Sequence, residues 1–294
     1  MTSFDIIFEW IPYDELIKIK EIGKSGLSTA IWREGPLYYD RIEKEWMRNS
    51  YNKVVLKYLS NSQNLTDEFL SKATVTYESY GISQNPNTKD YIMVLEYAEG
   101  GSFDNYLDKN YERFDWFNGL KVLTNIINGL SKIHQEQMVH RDFHIGNILI
   151  TKNEILGDFH IYSSHENNND IDNNDKYNAC ISDMGLCRKI DDIDETSIYG
   201  VMPYVAPEVL RGKPYTRAAD IYSFGMVMHV VATGRQPFDN CAHDEVLVLN
   251  ICNGIRPEIN EKIAPKCYID LMKRCWDLNP ENRPNSIEVK EIIE

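Results

Sequence analysis

The stretch VHRDFHIGNILI, Val139 to Ile150, decides how the chain is read. Within it Asp142 and Asn147 stand five residues apart, after His-Arg and before an apolar run. That spacing suits a loop closing onto a short buried strand, Ile148 to Ile150. An acid and an amide would then converge on one ligand, for which a magnesium-bound nucleotide is one candidate. His140 and His144 are four apart, as in the zinc motif H-E-x-x-H, but Arg141 holds the second position and no helical apolar face surrounds them. A polar turn capping a strand would account for Asp142 or Asn147 singly. Only further motifs at suitable distances separate these readings.

The chain has 294 residues, 43% of them hydrophobic, enough to bury a sizeable core in one large domain or two lobes. A formal charge of -14 without a basic block argues against general affinity for nucleic acid or an anionic membrane. Cys180, Cys187, Cys241, Cys252, Cys267 and Cys275 are irregularly spaced and form no C-x-x-C pair, so reduced, mostly buried thiols are expected. No signal-like opening and no long apolar run is present, so the cytoplasm is the default expectation, with the nucleus also open. Oligomeric state is not legible.

Residues 16 to 32, LIKIKEIGKSGLSTAIW, alternate around a Gly/Ser turn and read as a hairpin. KVVLKYL (Lys53 to Leu59) reads as a third strand and YIMVLEYA (Tyr91 to Ala98) as another, ended by a hinge at Gly100-Gly101. Between them TDEFLSKA, Thr66 to Ala73, reads as a helix of barely two turns. Beyond the hinge, Leu120, Leu123, Ile126, Ile127, Leu130 and Ile133 recur at three and four, predicting an amphipathic helix. IYSFGMVMHVVATG, Ile221 to Gly234, and the run near Leu271 to Trp276 are also helical. A strand-rich first third and a helix-rich remainder predict an α+β fold in two lobes with a cleft at the hinge. ENNNDIDNNDKYN, Glu166 to Asn178, imitates a calcium loop, but Asp175 stands where that loop needs Gly and Ile181 where it needs Glu. A solvated insertion is the better account.

Asp183-Met184-Gly185 follows the strand ACIS (Ala179 to Ser182), and Ala206-Pro207-Glu208 follows that. HRDFHIGN, DMG and APE, in this order, resemble the H-R-D-x-x-x-x-N, D-F-G and A-P-E motifs of the eukaryotic protein kinases, most closely the tyrosine-kinase-like group of Ser/Thr kinases. The resemblance covers nearly the whole chain. It implies an ATP- and magnesium-dependent enzyme that phosphorylates protein hydroxyls, with a small lobe at 1–98 and a large lobe at 99–294.

By that resemblance Asp142 is the catalytic base, with Arg141 beside it, while Asn147 and Asp183 hold magnesium and Lys57 of VVLK holds the α- and β-phosphates. IGKSGLSTA, Ile22 to Ala30, takes the place of the glycine-rich loop, so Ile22, Gly23, Ser25, Gly26 and Ala30 are nucleotide-binding candidates. Leu95 would be the gatekeeper, Glu96 to Ala98 would face adenine through backbone groups, Leu149 would lie beneath the ring and Ser102 near the ribose. The cleft would lie between Gly23, Lys57, Leu149 and Asp183. Asp220 in AADIYSFG resembles the aspartate that anchors the catalytic loop, and Arg283 in NPENRP the arginine that pairs with Glu208. Arg141 also implies control by a phosphate on Thr196, Ser197 or Tyr199.

Several positions depart from the family. His144 stands where the Ser/Thr class has Lys, and Val201 where it has Thr, so acceptor choice rests on the group resemblance alone, which favours Ser/Thr over Tyr. Lys72 in EFLSK occupies the place of the glutamate that pairs with the strand lysine, with Glu68 one turn earlier as the near substitute. Only residues 73–79 lie between Lys72 and Tyr80, which predicts a small lobe of five or fewer strands. Two alternatives follow: a pseudokinase that binds nucleotide with little turnover, and a small-molecule phosphotransferase, whose H-G-D-x-H-x-x-N motif shares His144.

Overall fold

Along the first third of the chain, buried and exposed side chains trade places with the period of two that strands impose. The computed structural model describes residues 7–22, 26–40, 43–59, 79–111, 114–152, 177–183, 186–189 and 198–294. Two compact units emerge, one built on residues up to Glu99 and the other on Gly100–Ile150 with Tyr177–Glu294.

The first unit contains β1 (Glu9–Trp10), β2 (Leu16–Ile22), β3 (Leu27–Trp32), β4 (Leu37–Asp40), β5 (Glu45–Arg48), β6 (Asn52–Tyr58), β7 (Ser79–Gln84) and β8 (Tyr91–Glu96). Six of them form one sheet in the order β1-β7-β8-β6-β3-β2, so the expectation of five or fewer strands is corrected. In β3 the buried residues are Ser28, Ala30 and Trp32, and in β6 Val54 and Leu56. Ala30 lies opposite Val54, and Ser28 opposite Leu56, which puts them on one face. With Ile11, Leu16, Tyr80, Ile92 and Val94 this face makes the core, where each large aliphatic side chain contributes about 1.5–3 kcal/mol by leaving water. At the edge, β1 runs parallel to β7 with Glu9 opposite Gly81. A Cβ at residue 81 would come 1.9 Å from the Glu9 carbonyl oxygen, so glycine is what admits this extra strand.

The hairpin β4–β5 forms a separate ribbon, with Tyr39 and Trp46 packed edge to face at 5.4 Å. Arg48 ties it down, reaching Glu9 at 2.5 Å and the Gly35 carbonyl at 2.7 Å.

The second unit is mainly helical: α1 (Phe103–Asn110), α2 (Trp116–Gln135), α3 (Pro207–Leu210), α4 (Arg217–Thr233), α5 (Glu245–Cys252), α6 (Lys266–Cys275) and α7 (Ser286–Ile293). The three- and four-residue spacing in α2 buries Leu123, Ile126, Ile127 and Leu130, as expected, and Asp115 caps its start by accepting from the Asn118 N–H. α4 is buried on every side from Ala219 to Val231, the mark of a helix at the centre of a bundle. Its end is set by Gly234, whose φ of +67 closes the last turn.

Two small sheets frame the loop between α2 and α3. β9 (Gly101–Ser102), β11 (Ile148–Lys152) and β12 (Tyr177–Ile181) form one, and β10 (Met138–Val139) with β13 (Arg188–Lys189) the other. All six cysteines are free thiols; Cys180, Cys187 and Cys275 are buried, whereas Cys241 and Cys267 are exposed, so the expectation of mostly buried thiols holds for half of them. Among the described residues no helix is long and apolar enough to cross a membrane.

Candidate functional site

The segment between β10 and β11, residues 140–147, is hung from a single buried carboxylate. Asp220, 1% exposed at the start of α4, accepts from the His140 N–H at 2.9 Å and the Arg141 N–H at 3.1 Å. His134 of α2 adds a contact of 2.9 Å from its Nε2. Two backbone donors on one carboxylate fix where the loop leaves β10, as the pattern AADIYSFG implied. Arg141 takes a left-handed φ of +72, uncommon for a residue with a side chain.

His140 connects this loop to the next strand end. Its Nδ1 accepts from the Asp142 N–H at 3.3 Å, so Nε2 carries the proton and donates to the Ser182 carbonyl at 3.1 Å. Complete burial pushes the imidazole below its usual range, which keeps it neutral. Ser182 in turn donates both its N–H, at 2.8 Å, and its hydroxyl, at 3.1 Å, to the Asn147 carbonyl. Asp183 follows directly, exposed and with a left-handed φ of +56. Strain of order 1–3 kcal/mol at such a position persists only where the surroundings over-determine it.

The two oxygens of Asp142 have different partners. Oδ2 accepts from the Asn147 Nδ2 at 3.0 Å, and the same amide donates to the Asp142 carbonyl at 2.9 Å. Oδ1 is buried without an aligned hydrogen bond, and His144 Nε2 lies 3.4 Å from it. The carboxyl is held below the usual carboxylate range, first by His144, then against a burial effect that pushes it up, with Asn147 adding to the downward pull. Beside it lies a concavity of about 10 Å3, room for about one water molecule, bordered by Asp142, Gly200, Val201 and Tyr215.

This donor set suits magnesium. With Nδ2 of Asn147 committed to Asp142, its Oδ1 is the remaining ligand atom, and Asp183 offers a second hard oxygen at a strand end. Leu149 and Ser102 are direct cross-strand partners in β11 and β9. In the first unit, Lys57 lies opposite Leu27 and Met93, Leu27 opposite Ile22, and Leu95 opposite Val55. Ile22, Lys57 and Leu95 therefore share one sheet face. Ala30 does not join them: its side chain is on the opposite face, 2% exposed in the core beside Val54. Glu96 lies opposite Val54 at the end of β8, and its expected contact is through backbone groups, which side-chain direction leaves open. Gly26 has a left-handed φ of +67 just before β3, and its carbonyl accepts from the Tyr58 N–H at 3.5 Å. Ala98 lies past the end of β8, half-buried.

Gly23, Ser25, Glu68, Lys72, Met184, Gly185, Thr196, Ser197 and most of the calcium-like segment lie outside the described residues. The arginine beside Asp142 is used in a way the sequence did not reveal. Arg141 stacks 5.7 Å over the Tyr215 ring, and the Tyr215 hydroxyl accepts from the Tyr199 N–H at 2.8 Å while donating to the Tyr199 carbonyl at 2.5 Å. Among the described residues no cluster of three or more His, Cys, Asp and Glu side chains is placed to hold a metal.

A further pair locks the far side of the unit. Arg283 donates to both oxygens of Glu208, at 2.7 and 2.8 Å, as the order APE to NRP implied. A family profile described as protein tyrosine and serine/threonine kinase matches residues 39–293. The chain belongs to the protein tyrosine and serine/threonine kinase family. Its sheet-rich first unit and helical second unit are the two lobes of the protein kinase fold.

Among its relatives, the probable serine/threonine-protein kinase roco8 of Dictyostelium discoideum is 33% identical over 203 residues, 66% of this kinase and 10% of that protein. Serine/threonine-protein kinase STY46 of Arabidopsis thaliana is 29% identical over 203 residues, 69% of this chain and 31% of its own. The putative serine/threonine-protein kinase/receptor R831 of Acanthamoeba polyphaga mimivirus is 27% identical over 298 residues, 100% of this chain and 16% of its own. The kinase thus spans at most about a third of the length of these three relatives. Its family match includes Glu208, Asp220 and Arg283, which the small-molecule phosphotransferase pattern lacks.

Proposed function

We propose that the chain is an ATP-dependent protein kinase that moves the γ-phosphoryl group to a serine or threonine hydroxyl of a protein substrate. The observation that carries this reading is the Asp142–Asn147 pair, a carboxylate steered by an amide inside a loop suspended from Asp220. Phosphoryl transfer asks for positioning and charge neutralisation more than for covalent chemistry, and this arrangement supplies the positioning. Oδ1 of Asp142 accepts the hydroxyl proton as the new O–P bond forms and the bond to the departing ADP oxygen breaks. Asn147 Oδ1 and Asp183 would hold magnesium, which would neutralise phosphate charge. Lys57 takes the α- and β-phosphates, with Ile22, Gly26 and Leu95 as the described neighbours on the nucleotide side. Ser/Thr is favoured over Tyr because the relatives bear Ser/Thr kinase names. Six free thiols suit a reducing compartment, the cytoplasm by this reading.

Binding of nucleotide tests these roles. Lys57→Met is expected to weaken ATP affinity at least about tenfold, because a phosphate-pairing cation is lost. Asp183→Ala is expected to abolish the gain in ATP affinity that magnesium gives the parent. Calorimetric titrations with and without magnesium measure both. Parental affinity in Lys57→Met, or a parental magnesium effect in Asp183→Ala, would remove the corresponding residue from the site.

A further inference from the structure

His144 stands where its family's Ser/Thr members carry lysine, and residue identity alone gives it no role. The geometry is more specific. Its Nδ1 accepts from the Gly146 N–H at 3.0 Å, capping the short turn Ile145–Asn147. A backbone N–H can only donate, so the Nδ1 lone pair is occupied and the ring proton sits on Nε2. That Nε2 faces Asp142 Oδ1 at 3.4 Å. The ring has a built seat: a Cβ on residue 146 would fall 2.7 Å from its Cε1 and 2.9 Å from its Nδ1, so glycine there is what leaves it room. Tyr204 packs beside the ring in a tilted arrangement, centroids 6.0 Å apart. The turn that His144 caps ends at Asn147, whose amide holds the other oxygen of the same carboxylate.

We propose that His144 is a positioning residue for Asp142: a neutral imidazole, pinned at Nδ1, whose Nε2–H holds the carboxylate with Oδ1 presented to the acceptor hydroxyl. The proposal rests on the kinase reading above. One side chain thereby sets both carboxylate oxygens, Oδ1 directly and Oδ2 through the turn that delivers Asn147. At 3.4 Å the contact is longer than a usual hydrogen bond, and catalytic contacts of this kind often shorten in the transition-state complex.

Two amide isosteres separate the ring's functions. His144→Asn keeps an acceptor for the Gly146 N–H, since asparagine is a preferred cap, but loses the donor that reaches Asp142. His144→Gln keeps a donor near the Nε2 position and loses the cap. Asn is expected to lower kcat about tenfold, with KM for ATP and for peptide within about twofold and Tm within about 2 °C of the parent. Gln is expected to recover part of that kcat, through the donor to Oδ1, while melting earlier because the cap is lost. Parental kcat in His144→Asn, or a loss that follows KM or Tm, overturns the proposal.

A second readout needs no turnover. Nitrogen-15 NMR of the histidine ring in the intact chain is expected to show an unprotonated Nδ1 and a protonated Nε2 for His144, and the reverse tautomer overturns the proposal. Asp142→Asn distinguishes the two levels. If that variant keeps parental turnover, the kinase assignment of Asp142 fails. If it is inactive while His144→Asn is parental, only the role of His144 fails.

Discussion

Asp142→Asn is expected to lower kcat about a thousandfold, within the 10²–10⁴ that general-base catalysis supplies, which corresponds to about 4 kcal/mol of transition-state stabilisation. The side chain is held by Asn147 Nδ2 on one oxygen and faced by His144 on the other, so an amide of the same shape keeps an acceptor for Asn147. Folding and ATP affinity should therefore survive. What disappears is a base that is charged at neutral pH, its carboxyl already held low. Steady-state kinetics with parallel calorimetry and a thermal melt measure the three quantities separately. A kcat within tenfold of the parent, in a variant that melts normally, would show that Asp142 is not the base.

The largest effect on stability is expected at Glu208. Its partner Arg283 is fully buried in its side chain and also donates to the Asp277 and Ala218 carbonyls, while its guanidinium lies 5.2 Å over the Tyr222 ring. Glu208→Ala strands that cation, and breaking a buried pair from one side costs about 3–5 kcal/mol. For a domain of this size that is a fall in Tm of roughly 10 °C. Replacing both residues with apolar ones of similar volume, Glu208→Met with Arg283→Leu, should cost less than Glu208→Ala alone, because no unpaired charge remains. Chemical denaturation of the three proteins checks this. Loss of under 1 kcal/mol in Glu208→Ala would mean that the pair is solvated in solution and does not brace the unit.

What the sequence makes legible is the loop geometry set by short motifs and the elements set by long periodicity. Asp142, Asn147 and Asp183, the anchor at Asp220 and the pair Glu208–Arg283 lie at fixed spacings, and α2 and α4 carry enough apolar residues to declare their faces. The strand count is not legible for a physical reason. β1 is two residues long, too short for any period, and in β7 the glycine that lets β1 approach reads as a breaker in sequence. The hairpin β4–β5 turns without Gly or Pro, using the Asp40 carboxylate, which accepts from the Glu43 N–H, and a left-handed Lys44 with φ +56.

Ala30 shows a different limit. Which face a strand residue takes depends on register, and a one-residue slip reverses it. Here β2 carries an irregularity between Ile17 and Lys20, and the ribbon β4–β5 intervenes between β3 and β6. Neither is visible in the motif that placed Ala30 beside Lys57. The place of His144 is not legible from residue type, whether set against zinc spacing, the phosphotransferase pattern or the lysine of other kinases. Its place depends on the absent side chain of Gly146, a relation between two positions.

The most direct test of the central claim is transfer of label from γ-phosphate-labelled ATP to a general protein acceptor such as casein, with magnesium and with a chelator, followed by phosphoamino-acid analysis. The account predicts magnesium-dependent label on phosphoserine or phosphothreonine, lost in Asp142→Asn. Label that appears only as inorganic phosphate or on a small-molecule alcohol, or no transfer by the parent chain at all, would contradict it.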